Sequence, residues 1–201
     1  MRFKNVVFSA VFISVIFLGS CAEDAVVSPP KEDVLMPLKV GNTWNYLIMM
    51  RDSSTTTNET NSGPLSMSIA GDTTISGSKW YGMAMPYAGI YVYYQNKADG
   101  VWANFQGMST PMLMFKYPAD LNSGYPYKLV SKTESVVVPA GTFSCYHYQH
   151  VSVENPVNFE HYYLAPNIGI VKQTKSDGGD NGSGGTYLST STMELQSYTL
   201  K

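Results

Sequence analysis

Ile90-Tyr91-Val92-Tyr93-Tyr94-Gln95-Asn96-Lys97-Ala98-Asp99-Gly100-Val101-Trp102-Ala103-Asn104-Phe105 is the stretch whose reading decides the fold. Two runs rich in β-branched and aromatic residues flank a short polar segment. Val, Tyr, Trp and Phe suit a pleated, half-buried surface. Asp99-Gly100 supplies the turn chemistry of a hairpin. The stretch therefore reads as strand, turn and returning strand. Period two then puts Tyr91 and Tyr93 on one face, with Val92 and Tyr94 on the other.

The same pattern repeats outward. Upstream, Trp80 to Met85 follows a turn at Ser76-Gly77-Ser78-Lys79, and Pro86 interrupts the pairing. Leu65 to Ile69 and Thr73 to Ile75 read as short strands around Ala70-Gly71-Asp72. In the first strand Trp44, Tyr46 and Ile48 share a face. Asp52 to Pro64 offers almost nothing apolar to bury and reads as a solvent loop. Downstream, Gly107 to Tyr127 is irregular, with one short strand at Met112 to Lys116. Lys128 to Val138 and Thr142 to Val153 pair through Pro139-Ala140-Gly141. Asn158 to Leu164 and Ile168 to Thr174 pair through Ala165-Pro166-Asn167. Gly178 to Gly185 is a flexible loop before a closing strand, Thr186 to Tyr198, with Leu188, Met193, Leu195 and Tyr198 as core contributors. Roughly ten closely spaced strands predict an all-β domain: a curled antiparallel meander, open barrel or sandwich.

The N-terminus has different physics. Arg2 and Lys4 form a positive segment, and Val6 to Leu18 is apolar but for Ser9 and Ser14. That length suits a secretory leader better than a membrane span. Leu18-Gly19-Ser20-Cys21 then resembles a bacterial lipobox, with Cys21 as the lipidated residue. Positive segment, apolar run and small-residue block in that order favour the lipobox over an ordinary signal peptide that happens to hold a cysteine, or a short buried helix. Each buried CH₂ adds roughly 0.8 kcal/mol of membrane affinity, so the two or three acyl chains of such an anchor hold firmly. Residues 1–20 read as the leader, 21–34 as a tether carrying Pro29-Pro30, and 35–201 as a single β domain. Ala22 follows the cysteine where Asp resembles an inner-membrane retention signal, so the outer membrane is favoured. Glu23-Asp24 resembles a surface-export signal and tips the expectation toward the cell surface over the periplasmic face.

Removing Arg2 and Lys4 leaves 11 Lys+Arg against 15 Asp+Glu, a net charge of −4. Nucleic acid, which calls for a basic face, is not an expected partner. With Cys21 acylated, Cys145 has no disulfide partner, and the core must hold by packing.

Three blocks carry a family resemblance: Pro37-Leu38-Lys39-Val40-Gly41-Asn42-Thr43-Trp44-Asn45-Tyr46, Val138-Pro139-Ala140-Gly141-Thr142-Phe143, and Tyr162-Tyr163-Leu164-Ala165-Pro166-Asn167-Ile168-Gly169-Ile170-Val171-Lys172. Together they resemble a family of bacterial lipoproteins of unknown function, similar to the curled, open β-barrels of the LolA-like kind. Asn167 stands where that family usually has Gly, and Asn tolerates the left-handed turn position. The resemblance implies a fold and transfers no catalytic residue.

Few groupings point to chemistry. Cys145 and His147 lie two apart on one strand face, but neighbouring side chains on a strand lean parallel and rarely make a nucleophile–base bond. A small core cysteine beside a half-buried histidine is the plainer reading. His147 and His150 fall on opposite faces; a zinc site recruiting His161 is an alternative. Asp177-Gly178-Gly179-Asp180-Asn181-Gly182 looks faintly like a calcium loop but lacks the closing bidentate Glu. Neither cofactor nor metal is expected. The aromatic cluster of Trp80, Tyr81, Tyr87, Tyr91, Tyr93, Tyr94 and Trp102 is sharper. Tyr91, Tyr93, Trp80 and Trp102 are the candidate ligand-binding residues, as a stacking platform or the lining of an apolar groove. Cross-strand pairing that merely stabilises the sheet competes with that reading. The expectation is a non-enzymatic, lipid-anchored binding module for a hydrophobic ligand or an envelope protein. A surface glycan-binding lipoprotein is the alternative, and a hydrolase the more remote one.

Overall fold

The structure is a computed structural model that describes residues 33–52, 60–86, 89–180 and 186–201. The lipobox with Cys21, Tyr87, and the loop residues 181–185 lie outside the described residues. Eleven strands are present and, among the described residues, no helix: β1 Thr43–Asp52, β2 Thr60–Ile75, β3 Ser78–Met85, β4 Gly89–Lys97, β5 Gly100–Phe105, β6 Met112–Lys116, β7 Lys128–Val138, β8 Gly141–Val151, β9 Phe159–Ala165, β10 Gly169–Asp180 and β11 Thr186–Thr199. They form one antiparallel sheet in the order β6-β5-β4-β3-β2-β1-β11-β10-β9-β8-β7. Every neighbour is consecutive in sequence except β1 and β11. Two meanders are thus joined by the first and last strands, and the sheet curls into a nearly closed, barrel-like wall.

The expected all-β meander is what the chain adopts, with two differences in detail. The two short strands foreseen around Ala70 are one strand, because Ala70 is absorbed as a bulge between Ile69 and Gly71. Bulges keep a ladder running past an extra residue. Part of the foreseen solvent loop is also strand: β1 reaches Asp52 and β2 starts at Thr60.

Trp44 and Tyr46 point inward from β1 and are 1% and 3% exposed. Their polar tips are satisfied across the barrel. Trp44 Nε1 donates to the Ile168 carbonyl at 2.7 Å, and the Tyr46 hydroxyl donates to the Ile170 carbonyl at 2.9 Å. Asn167 adopts φ 64°, the left-handed turn expected of it. Its backbone N–H donates to the Val34 carbonyl at 2.7 Å, stitching the start of the domain to the β9–β10 turn. Of the closing-strand residues, Met193 and Leu195 are buried, whereas Leu188 is 40% and Tyr198 37% exposed. The tip of the β7–β8 hairpin reaches across to β11, where the Ala140 N–H donates to the Leu195 carbonyl at 3.1 Å.

A methionine-lined cavity as the candidate functional site

Inside the barrel lies a cavity of about 260 Å³. Met36, Met67, Met83, Met85, Met114 and Met193 line it, from the segment before β1 and from β2, β3, β6 and β11. Trp44, Tyr46, Tyr91, Tyr94, Phe105 and Tyr162 supply the rings, and Gln173 the one amide. Methionine is unbranched and polarizable, so a wall of it adapts to the shape of what it holds.

Several polar atoms of this wall are turned to protein partners. Besides the Trp44 and Tyr46 bonds, Gln173 Nε2 donates to the Tyr162 hydroxyl at 2.7 Å. The Tyr91 hydroxyl lies 3.8 Å from Met67 Sδ. Burial pushes the hydroxyls of Tyr46, Tyr94 and Tyr162 well above the ordinary tyrosine range, because a phenolate would have to be formed out of water. The interior offers shape and dispersion contacts and no charge. An engineered apolar cavity of about 150 Å³ already takes benzene, so this one has room for a larger apolar body.

Behind the rings lies a polar cleft of about 340 Å³ lined by Tyr127, His150, Asn158, Glu160, Lys175 and Asp177 among others. Tyr127 lines the cleft and Tyr162 the cavity, and their rings meet edge to face at 5.1 Å. One layer of aromatic rings therefore separates the polar cleft from the apolar interior. The Tyr127 hydroxyl donates to Glu160, whose other oxygen lies 3.7 Å from Lys175 Nζ.

The four nominated rings do not act together. Between β3 and β4 the register slips: Met83 opposes Val92 and Ala84 opposes Ile90, so Tyr91 is the extra residue of a bulge. Bulging turns Tyr91 inward, onto the cavity wall, beside Val92 and Tyr94. The expectation that Tyr91 and Tyr93 share a face is corrected by this slip. Tyr93 opposes Gly82 and Asn104, and Trp102 opposes Gln95, in the rows that alternate with the core residues Val92, Tyr94, Val101 and Ala103. Trp80, two before Gly82, belongs to the same outer rows. Lys97 Nζ lies 4.0 Å from the Trp102 ring and 5.5 Å from that of Trp80. Trp80 is only 2% exposed. Tyr93, Trp80 and Trp102 thus belong to the outer rows, the two tryptophans beside Lys97, and Tyr91 lines the interior.

The Cys145–His147 pair is not brought together for chemistry. Cys145 is fully buried, its thiol pushed up to about 12 by burial and then by the Glu134 charge. Its sulfur is directed at the Phe143 carbonyl. Both nitrogens of His147 are engaged elsewhere, one with Glu134 and one with His161. His150 lies apart, 3.2 Å from the Pro126 carbonyl. Among the described residues no group of three or more His, Cys, Asp or Glu side chains is placed to hold a metal ion. The calcium-like segment lies partly outside the described residues.

Residues 126–188 match a family described as DUF3108-like. The matched span takes in the second and third sequence blocks and leaves out the first. Among curated proteins, no sequence matches the chain. Comparison with solved structures gives three matches. One is a protein from Bacteroides fragilis NCTC 9343 described as exported and having a YmcC-like fold, 12% identical, with 84% of this chain and 100% of that chain covered and a TM-score of 0.49. Another, from Parabacteroides distasonis ATCC 8503 and described as a lipoprotein, is 15% identical, with 84% and 100% covered and a TM-score of 0.45. A LolA superfamily protein from Nitrosomonas europaea is 10% identical, with 83% and 88% covered and a TM-score of 0.25.

No local sequence pattern marks the methionine wall. Met67, Met83, Met114 and Met193 come from separate strands, and only the curl of the sheet gathers them. Their number in the sequence, 11, was the one available signal.

Proposed function

We propose that the protein is a lipid-anchored binding module that holds a hydrophobic ligand inside its barrel, with Cys21 as the anchoring residue. The cavity walled by six methionines and six aromatic rings is the observation that carries this reading. A filled core would not keep a space of about 260 Å³, since protein interiors pack to roughly 0.75 density. The wall carries no charged side chain, the Trp44 indole and the Tyr46 hydroxyl bond to backbone carbonyls, and its methionines let the space fit more than one ligand. Tyr91 is a ligand-contacting residue of the interior. Tyr93, Trp80 and Trp102 belong to a different face and serve the strand pairs of β3 to β5 in this reading. Lipidation of Cys21 would place the domain at the outer membrane, within reach of apolar ligands.

The test titrates the protein with the environment-sensitive dye N-phenyl-1-naphthylamine, with single-chain fatty acids as competitors. Saturable enhancement that fatty acids reverse is expected, and Met83→Trp or Met193→Trp, which fill the space, should weaken it by at least about tenfold. Cys21→Ala should leave dye binding unchanged while abolishing incorporation of a clickable palmitate analogue. No saturable dye signal, or a signal indifferent to both tryptophans, would remove the interior as the binding site. Label on Cys21→Ala would remove Cys21 as the anchor.

A further inference from the structure

Beyond shape and dispersion, the cavity holds two polar atoms with bonding capacity left. Tyr94 is 7% exposed, lines the cavity, and its hydroxyl makes no hydrogen bond among the described residues. Gln173 lines the same cavity and gives its Nε2 proton to the Tyr162 hydroxyl at 2.7 Å, which leaves the amide oxygen without a donor. Taking the interior as the binding site proposed above, we infer that its ligand is a single-chain amphiphile with an uncharged hydroxyl head. That hydroxyl donates to Gln173 Oε1 and accepts from Tyr94, and the chain lies among the methionines.

Heavy-atom positions do not distinguish an amide's oxygen from its nitrogen, but the direction of the neighbouring bonds does. The Tyr127 hydroxyl donates to the Glu160 carboxylate. Tyr162 is hydrogen-bonded to Tyr127, whose own proton is committed, so the Tyr162 hydroxyl donates to it. The Tyr162 oxygen then takes its proton from Gln173, and the amide oxygen is the end left over. Bonds that all point one way polarise one another, so this oxygen is a stronger acceptor than that of a lone amide.

The other group comes from the opposite wall. Tyr94 is on β4, whereas Tyr162 and Gln173 oppose each other on β9 and β10. Burial, then Tyr91 and Tyr162, push the Tyr94 hydroxyl well above the ordinary tyrosine range, so it stays a neutral O–H. A buried hydroxyl without a partner is costly, and native folds keep few of them. An alcohol meets both atoms, since one hydroxyl donates and accepts. An ether only accepts and leaves the Gln173 oxygen unmet. A carboxylate fares worse, because the wall carries no charged side chain to offset it.

The rest of the wall suits a chain. Its methionines take a flexible alkyl segment without imposing one shape. A fatty acid reaches this space as the protonated acid, so at neutral pH it competes more weakly than the alcohol of equal length.

The experiment follows displacement of diphenylhexatriene, a hydrocarbon probe with no polar atom, by 1-undecanol, by its isomer decyl methyl ether and by undecanoate. The alcohol should bind at least about fivefold more tightly than the ether, the worth of one buried hydrogen bond, and undecanoate more weakly than the alcohol. Gln173→Met should bring alcohol and ether to within about twofold of one another. The ratio is taken within each variant, so a change in probe affinity cancels. Tyr94→Phe removes the donor to both competitors and should weaken both by at least about fivefold while keeping their ratio. It should also melt at or above the parent temperature, because the hydroxyl it removes has no partner to lose. Probe binding with no preference for the alcohol, a preference that survives Gln173→Met, or alcohol affinity unchanged in Tyr94→Phe would overturn the hydroxyl head and leave the interior as a binding site. A lower melting temperature in Tyr94→Phe would show that the fold already satisfies that hydroxyl, and would overturn it too. No probe binding at all would remove the interior itself.

Discussion

At the scale of single residues, partners rather than residue types decide what each group does. Trp44 is 1% exposed and spends its indole N–H on the Ile168 carbonyl. Truncating it removes a large buried ring and leaves that carbonyl unpaired. Trp44→Ala is expected to cost roughly 3–5 kcal/mol, as large core truncations do, read as a lowered denaturation midpoint. A midpoint within error of the parent would show the ring to be dispensable. His161 shows the opposite balance. Burial, and then the neighbouring His147, lower its pKa, with Glu134 pulling the other way. The folded state therefore binds a proton on His161 less readily than the unfolded chain. Its contribution to stability is complete above the unfolded value of about 6.5 and is lost as the pH falls through the lower folded value. The melting temperature should drop on acidification from pH 7.5 toward 5, and drop less steeply in His161→Gln. Equal slopes for the two proteins would mean that His161 does not couple to folding.

At the scale of the element, the turn and the bulge make opposite demands on the sequence. Gly100 opens β5 at φ +143°, and a Cβ there would lie 2.9 Å from Lys116 Cα and closer still to the Phe115 carbonyl oxygen. The obstacle is backbone and cannot swing aside. Gly100→Ala should loosen the β4–β5 turn and the β5–β6 pairing together, costing at least about 1–3 kcal/mol in backbone strain alone. Circular dichroism melts would register it, and parent-like stability would mean that β6 shifts freely. The hairpin was legible because Asp99-Gly100 is a chemical signal. The β-rich class, the β7–β8 and β9–β10 turns and the left-handed Asn167 were legible for the same reason. The bulge at Tyr91 was not, since one extra residue in a ladder leaves no mark in composition and yet inverts every later side chain. That is why the aromatic platform divided between two faces. The Glu134–His147–His161 line was hidden likewise: it depends on β7 slipping between Leu129 and Ser131 and again between Ser131 and Glu134.

At the scale of the whole molecule, the wall is hydrogen-bonded strand to strand everywhere except where it closes. The ladder runs from β6 round to β7, and those two edges do not pair. Side chains bridge the gap instead. The Tyr148 hydroxyl donates to the Lys116 carbonyl at 2.7 Å, and the Phe115 ring packs on Tyr148, Tyr127 and Tyr162 at 5.1, 5.5 and 5.2 Å. A seam held by side chains opens at lower cost than a ladder, which must break several backbone bonds at once. β6 also carries Met114 of the cavity wall, so the weakest part of the wall adjoins the interior. Amide hydrogen exchange should find β6, at Met112–Lys116, opening far more readily than β1 and β11, which are paired on both sides. Phe115→Ala removes the ring on which the seam converges, a loss of roughly 3–5 kcal/mol for a buried phenylalanine. If the seam opens on its own, that loss appears as faster exchange in β6 with β1 and β11 unchanged, and as faster entry of an apolar dye. Exchange rising equally in all eleven strands would show instead that the seam has no separate motion and the barrel opens only by unfolding.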